Sequence, residues 1–279
     1  MKFVTVESGR HQTFGKGSPL MAVLAEAASA VYVDQGVAAM ICPVLGDSTL
    51  TTDGYDCDLN RGDIGATDSL FNATCEVSPR GLCVMLVGGV QAWRRVTSVR
   101  GNSVGLVPAI YRKNLLAKEL VCVAQRAASG PQTHVHNELG MLLARLHKEF
   151  DPFVARCPGS RFSTKFAVFT RLQRARHYIE THAASAIDVG KLALIANYSS
   201  THFITTFRHV FAETPFALLK KHRLGAATRL LADQRIAIGE VATAAGYPSR
   251  HSLFEAVRRQ FGFSPSAFRT LAAQEVSAP

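Results

Sequence analysis

The stretch Ile238-Gly-Glu-Val-Ala-Thr-Ala-Ala-Gly-Tyr-Pro-Ser-Arg-His-Ser-Leu-Phe-Glu-Ala-Val-Arg-Arg-Gln-Phe-Gly-Phe-Ser-Pro-Ser-Ala-Phe-Arg269 decides how this chain is read. A short apolar run leads into a glycine turn, then a Ser-led segment, then a stop at Ser-Pro, as the earlier copy stops at Thr-Pro. The same grammar occurs earlier, in Val189-Gly-Lys-Leu-Ala-Leu-Ile-Ala-Asn-Tyr-Ser-Ser-Thr-His-Phe-Ile-Thr-Thr-Phe-Arg-His-Val-Phe-Ala-Glu-Thr-Pro215. One such pattern arises easily by chance; two in register do not. Each reads as two short helices across a tight turn, the layout of a helix-turn-helix.

In the later unit Ile238, Val241, Ala242 and Ala245 recur three or four residues apart, so one face of a short helix packs inward. Gly246 follows where the chain leaves the helix in a left-handed conformation. Pro248 keeps the first helix from continuing and Ser249 caps the second. Leu253 and Val257 face the domain, with Phe261 beyond them. In the earlier unit Leu192, Ala193 and Ala196 take the inward places, Asn197 stands where the later unit has Gly246, and Phe203 and Phe207 face inward from the second helix. Between the units, 216–231 reads as one connecting helix with an apolar stripe at Leu219, Leu224, Ala227, Leu230 and Leu231. A rigid connector suits two reading helices set in successive major grooves, about 34 Å apart.

Charge points to the same partner. The chain carries 31 Lys+Arg and 21 Asp+Glu, a net of +10. Residues 161–272 hold 16 basic and 6 acidic side chains, and the rest hold 15 of each, so all the excess lies with the repeated motif. Neutralising phosphates and releasing counterions supplies most non-specific DNA affinity, and duplex DNA is therefore the expected partner. No apolar run is long enough to span a bilayer, and Leu20–Ala25 is too short and too far in for a signal peptide. Cys42, Cys57, Cys75, Cys83, Cys122 and Cys157 show no Cys-x-x-Cys pairing, so the expectation is a cytoplasmic protein with reduced thiols and no membrane contact.

The first half reads differently. Strand-like runs at Ser48–Thr52, Cys57–Leu59 and Leu82–Val87 are separated by Asp53-Gly54-Tyr55, Asn60-Arg-Gly-Asp63 and Gly88-Gly89 turns, a spacing typical of antiparallel sandwiches and barrels. Helical patterns follow at Asn114–Ala127 and Thr133–Phe150. The second carries a seam of Val135, Leu139, Leu142, Leu143 and Leu146, suited to a dimer contact or to packing on the β part. Ala155–Ser160 reads as a linker, and Phe162–His182 as the first helix of the DNA-binding part, with Phe166, Phe169, Leu172 and Ile179 inward.

On Leu192-Ala193, Ala196, Ser199, Phe207-Arg208, Thr214-Pro215, Arg223-Leu224, Ala227, Leu230-Leu231 and the stretch from Ile238 to Arg269, residues 164–272 resemble the DNA-binding domain of AraC/XylS-type bacterial transcription regulators. The Asn-Arg-Gly-Asp63 hairpin and the leucine-rich helices after it resemble their cupin-like effector domain more weakly. The resemblance implies an α+β two-domain chain: a cupin-like antiparallel β-barrel sensing domain over 1–108, dimerising linker helices over 109–155, the DNA-binding domain over 161–272 and a disordered tail over 273–279. It further implies a small-molecule effector in the barrel, a homodimer, and activation at a promoter through contact with RNA polymerase.

Many relatives carry arginine on the outward face of each reading helix, where it reaches guanine O6 and N7. This chain has Thr205 and Glu255 there. The base-contact candidates are Thr201, His202, Ile204 and Thr205 in the first unit, and Arg250, His251, Phe254 and Glu255 in the second. Ser200, Arg208, Ser249, Arg258 and Arg259 are assigned to phosphates.

Other groups read as structural. His134, His136 and His147 are badly spaced for one metal ion, since helical positions i and i+2 point to different faces. Cys75 and Cys83 flank Val77–Gly81 and are taken as half-buried thiols that approach across a hairpin, with a redox switch as the alternative. Asp53, Asp56, Asp58 and Asp63 read as solvated turn residues, and Trp93 with Arg94 and Arg95 as the end of the last strand, packed on the barrel or rimming an effector pocket. No catalytic residue, metal or cofactor is assigned. The rival readings are a DNA-binding domain fused to a cysteine-based repair enzyme, which would need a zinc-held cysteine cluster, and an effector-independent DNA binder.

Overall fold

The computed structural model describes residues 1–52, 55–97, 106–112, 115–129 and 132–276. They fall into two compact units, Met1–Arg174 and Ala175–Pro279.

The first unit is built on two facing sheets. One runs in the order β1 (Lys2–Val6), β3 (Met21–Ala25), β10 (Leu82–Gly89), β5 (Val37–Leu45), β8 (Ile64–Ala66), β11 (Ala109–Tyr111). The other runs β2 (His11–Phe14), β4 (Ala30–Val33), β9 (Ala73–Val77), β6 (Asp47–Thr52), β7 (Tyr55–Asn60). The edge strands β1 and β2 pair parallel with β3 and β4, and the other described ladders are antiparallel. Alternate residues of both sheets share one core, with Val23, Ile41 and Met85 from the first sheet against Val31, Leu50, Leu59 and Cys75 from the second.

The six-stranded sheet is buried on its other face too, through Ala22, Met40 and Leu86, because helices cover it. A strand buried on both faces has no polar alternation to betray it, so β5 reads as a continuous apolar run. The five-stranded sheet keeps a wet face, where Thr49 and Thr51 donate to Asp58 and Asp56. Its strands therefore alternate, as the sequence reading of 48–59 requires.

The covering layer comprises α1 (Val90–Thr97), α2 (Ala117–Ser129), α3 (Gln132–Leu146), a 3-10 turn (His147–Phe150) and α4 (Asp151–Arg156). These elements belong to the first unit instead of bridging to the next. α5 (Phe162–Thr181) starts in the first unit and crosses the division at Arg174. In its first turns, expected with the DNA-binding part, Gln173 Nε2 donates to the Pro108 carbonyl at 3.2 Å and Arg174 pairs with Asp68.

Several sequence expectations change here. Val135, Leu139, Leu142, Leu143 and Leu146 are buried within the unit, none more than 3% exposed, because α3 packs on α1 and α2. The seam is core and offers no dimer surface. Trp93 lies on a helix, with Nε1 donating to the Ala38 carbonyl at 2.9 Å. Asp63 is buried instead of solvated; it accepts from the Asn60 amide at 3.0 Å and pairs with Arg112 at 2.7 Å. Asp53 lies outside the described residues. Cys75 and Cys83 stand on strands of opposite sheets, meeting across the core and not along a hairpin ladder. Both are fully buried, and burial pushes the Cys83 thiol well above its ordinary range.

His147 is buried between the Phe150 and Phe166 rings, at 6.2 and 6.0 Å, with no hydrogen-bond partner for Nε2 among the described residues. Burial lowers its pKa to about 4. An unfolded imidazole takes up a proton below its ordinary value of about 6.5 while the folded one does not, so folding stability falls as pH drops through that range. The loss attributable to this side chain grows by about 1.4 kcal/mol per pH unit, reaching about 3 kcal/mol near pH 4. Denaturant unfolding of the parent and His147→Phe across pH 7 to 4 checks this: the gap between them must change in favour of the variant as acid is added.

Candidate nucleic-acid interface

The second unit begins within α5 and continues through α6 (Val189–Ala196), α7 (Ser200–Phe211), α8 (Pro215–Ala232), α9 (Ile238–Ala244), α10 (Arg250–Phe261) and α11 (Pro265–Val276). The last of these runs into the stretch expected as a disordered tail; 277–279 lie outside the described residues.

Each motif closes as its residues dictate. Asp188 caps α6 by accepting from the Lys191 amide at 2.9 Å, and α6 ends at Asn197, which takes the left-handed conformation with φ +56°. α9 starts with Glu240 accepting from the Ala237 amide at 3.1 Å and ends ahead of Gly246, at φ +80°. Ser249 then caps α10, accepting from the Ser252 amide at 3.1 Å. Phe203 and Phe207 of α7, and Leu253 and Val257 of α10, are wholly buried as expected.

The Thr-Pro and Ser-Pro pairs play a different part from the stop signals they resemble. α7 ends at Ala212 (φ +60°) and α10 at Gly262 (φ +85°), both left-handed. Thr214 and Ser264 instead cap the next helices, accepting from Ala217 and Ala267 amides at 3.1 and 3.2 Å, with proline in the first helical position.

Two arginines missed as structural residues hold the unit together. Arg223 of α8 donates to the carbonyls of Ala183 (2.8 Å) and Ser185 (3.0 Å). Arg269 of α11 donates to those of Leu231 (3.3 Å) and Ile236 (2.8 Å). Each stapled carbonyl belongs to a loop or helix end with no helical partner to give. The sequence signal was their place on otherwise apolar helix faces.

The outward faces carry the candidate readers. Thr201, His202 and Thr205 of α7 are exposed and Ile204 half-buried. His202 rests against the Tyr198 ring at 4.8 Å, and the Thr205 hydroxyl donates to the Thr201 carbonyl at 3.0 Å. On α10, Arg250, His251 and Glu255 are exposed and Phe254 half-buried. The phosphate candidates Ser200, Ser249, Arg208, Arg258 and Arg259 are all exposed, and the Ser249 oxygen also accepts the cap bond.

Most acidic side chains of this unit are tied down: Asp188 and Glu240 in caps, Glu180 on Arg176 at 2.9 Å and Asp233 on Arg235 at 2.8 Å. Hydrogen bonds from Arg235 hold the Asp233 carboxyl down at about 2. The positive charge of Arg208, Arg250, Arg258 and Arg259 is left without an ion pair among the described residues, on the faces opposite the core. Such a face is arranged to meet a polyanion. Within the described residues no group of His, Cys, Asp or Glu gathers as a metal site, and no helix is long and apolar enough to cross a membrane.

Residues 192–270 match the family model described as a helix-turn-helix domain. The chain is 38% identical to the HTH-type transcriptional regulator AlkR of Acinetobacter baylyi, over 35% of this chain and 32% of that protein. It is 36% identical to the RCS-specific HTH-type transcriptional activator RclR of Escherichia coli, over 30% of each. Among solved structures it is similar to the DNA-binding domain of AdpA in complex with a target DNA, at 30% identity, covering 39% of this chain and 98% of that one, with a TM-score of 0.37. The chain thus spans about a third of the length of these curated relatives.

Proposed function

We propose that this chain, whose residues 192–270 match a helix-turn-helix domain model, is a sequence-specific DNA-binding transcription regulator of the AraC/XylS type. The observation that carries the reading is the repeated arrangement of α7 and α10. Each is held by a buried apolar face and a left-handed turn, and each turns unpaired basic and polar side chains outward. α7 and α10 enter the major groove, with Thr201, His202, Thr205, Arg250, His251 and Glu255 at base edges. Ile204 and Phe254 lie at the margin of that set, as apolar partners for thymine methyls. Arg208, Arg258 and Arg259, with Ser200 and Ser249, lie along the phosphates.

The role is regulatory and not enzymatic. The first unit is cupin-like and takes a small-molecule effector, the protein acts in the cytoplasm as a homodimer, and it activates by touching RNA polymerase. These parts rest on the family likeness. With the leucine seam buried, self-association needs another surface.

Arg250→Ala is expected to lose roughly 1–3 kcal/mol at one base step, whereas Arg258→Ala weakens every sequence alike. Titrations against single-base variants of a duplex selected from a random pool separate the two. A uniform loss for Arg250→Ala would refute its assignment to a base, and no salt-sensitive duplex affinity at all would refute the function.

A further inference from the structure

The connecting helix α8 and the second reading helix α10 stand on either side of a cleft of about 780 Å³ within the carboxyl-terminal unit. Ser252, Glu255, Ala256 and Arg259 line it from α10, so the flank of the reading helix that bears two of the candidate DNA contacts opens directly into it. Lys220, Lys221, Leu224, Gly225 and Thr228 line it from α8, and half-buried Tyr247, Pro248 and Phe261 add apolar surface. An organic ligand would also fit, since small-molecule sites run from about 300 to 1,000 Å³, so the chemistry of the rim decides the occupant. Lys220, Lys221 and Arg259 are exposed and make no ion pair among the described residues. Cations on both walls, held in solvent, suit a strand of phosphates laid along the cleft more than an anion sunk into it. The acid of the cleft, Glu255, is the side chain assigned to a base edge.

Gly225 adds an independent observation. It lies in the interior of α8, where glycine weakens a helix relative to alanine. Its backbone is not left-handed, and nothing stands within 4 Å of the place a Cβ would take. Neither local conformation nor packing inside the unit therefore calls for a bare backbone there. The open space belongs to the cleft and lets an outside group come close to α8. We propose that the cleft seats one sugar–phosphate strand of the duplex, beside the groove that α10 enters. Lys220 and Lys221 hold phosphates, Gly225 gives the strand room, and deoxyribose edges rest on Leu224 and Tyr247. The connecting helix is then a contact element as well as a spacer. The inference rests on the regulator reading and deepens it, adding contacts that fix α10 in its groove without reading sequence.

The full chain is titrated at several salt concentrations with the duplex selected from the random pool and with single-base variants of it. Lys220→Gln and Lys221→Gln together are expected to lower the slope of log affinity against log salt by about 2 and to weaken every sequence alike. Arg229→Gln removes a charge from an exposed place on the same helix away from the cleft, and should leave the slope as it is. Gly225→Leu alters no charge and introduces a better helix former. It should keep or raise the unfolding midpoint while weakening every duplex at least about tenfold. A slope untouched by the lysine pair, a loss no greater than Arg229→Gln produces, or parent-like binding by folded Gly225→Leu overturns the proposal and leaves the cleft to a small ligand. In each of those failures the parent still binds duplex with its ordinary salt dependence. A parent without duplex affinity sinks the regulator reading itself, and this inference with it.

Discussion

Gly246→Ala is expected to destabilise the carboxyl-terminal unit by on the order of 3 kcal/mol and to abolish DNA binding through the second reading helix. Two causes add at this residue. Its φ of +80° is a conformation that costs a side-chain-bearing residue about 1–2 kcal/mol. A methyl group there would also stand 2.7 Å from Ala184 Cα and 2.8 Å from the carbonyl oxygens of Ala183 and Ala184. Those are backbone atoms of the loop that Arg223 staples from α8, so they cannot swing aside like the end of a side chain. Gly262→Ala separates the causes, because Gly262 has nearly the same φ, +85°, and open space where its methyl would go. It should cost only the conformational part, about 1–2 kcal/mol. Urea unfolding of both variants beside the parent measures the difference. Equal costs would mean that the Ala183–Ala184 loop yields freely and does not brace the turn.

That brace marks where the sequence stops being legible. The left-handed turns at Asn197 and Gly246, the Ser249 cap and the inward Phe203, Phe207, Leu253 and Val257 are local signals, fixed by residues a few positions apart. So is the outward set on α7 and α10, since helical spacing assigns the two faces together. The contacts of Gly246 with Ala183 and Ala184, and of Arg223 with the same loop, join residues some sixty and forty positions apart. No periodicity encodes them. The first unit shows the same limit. Strands β6 and β7 alternate because one face is wet, and were readable. β5 is buried on both faces and was not. The seam from Val135 to Leu146 looked unpartnered because helical spacing reveals an apolar face, such as those of α1 and α2 that cover it, without saying which face it meets. Thr214 and Ser264 were read as ends since proline stops one helix as well as it starts the next; the left-handed Ala212 and Gly262 between them decide which.

Neighbouring residues of α7 allow core and interface to be tested apart. Phe207 is wholly buried, with the Phe203 and Phe211 rings at 5.4 and 4.6 Å, and Arg208 beside it is exposed. Phe207→Ala removes a ring from a packed aromatic row and is expected to cost about 3–5 kcal/mol. Stability of a domain this size is about 5–15 kcal/mol, so the variant approaches the unfolding threshold. Its duplex affinity should fall through loss of folded protein and recover in part on mild cooling, with an unchanged salt slope for the molecules that remain folded. Arg208→Ala should leave the unfolding midpoint in place, weaken all duplexes alike and reduce the slope of log affinity against log salt by about 1, the signature of one lost phosphate contact. Calorimetric unfolding and binding titrations at several salt concentrations read both quantities on each variant. If Arg208→Ala lowered stability as much as Phe207→Ala, or left the salt slope untouched, α7 would not present the face on which the regulator reading depends.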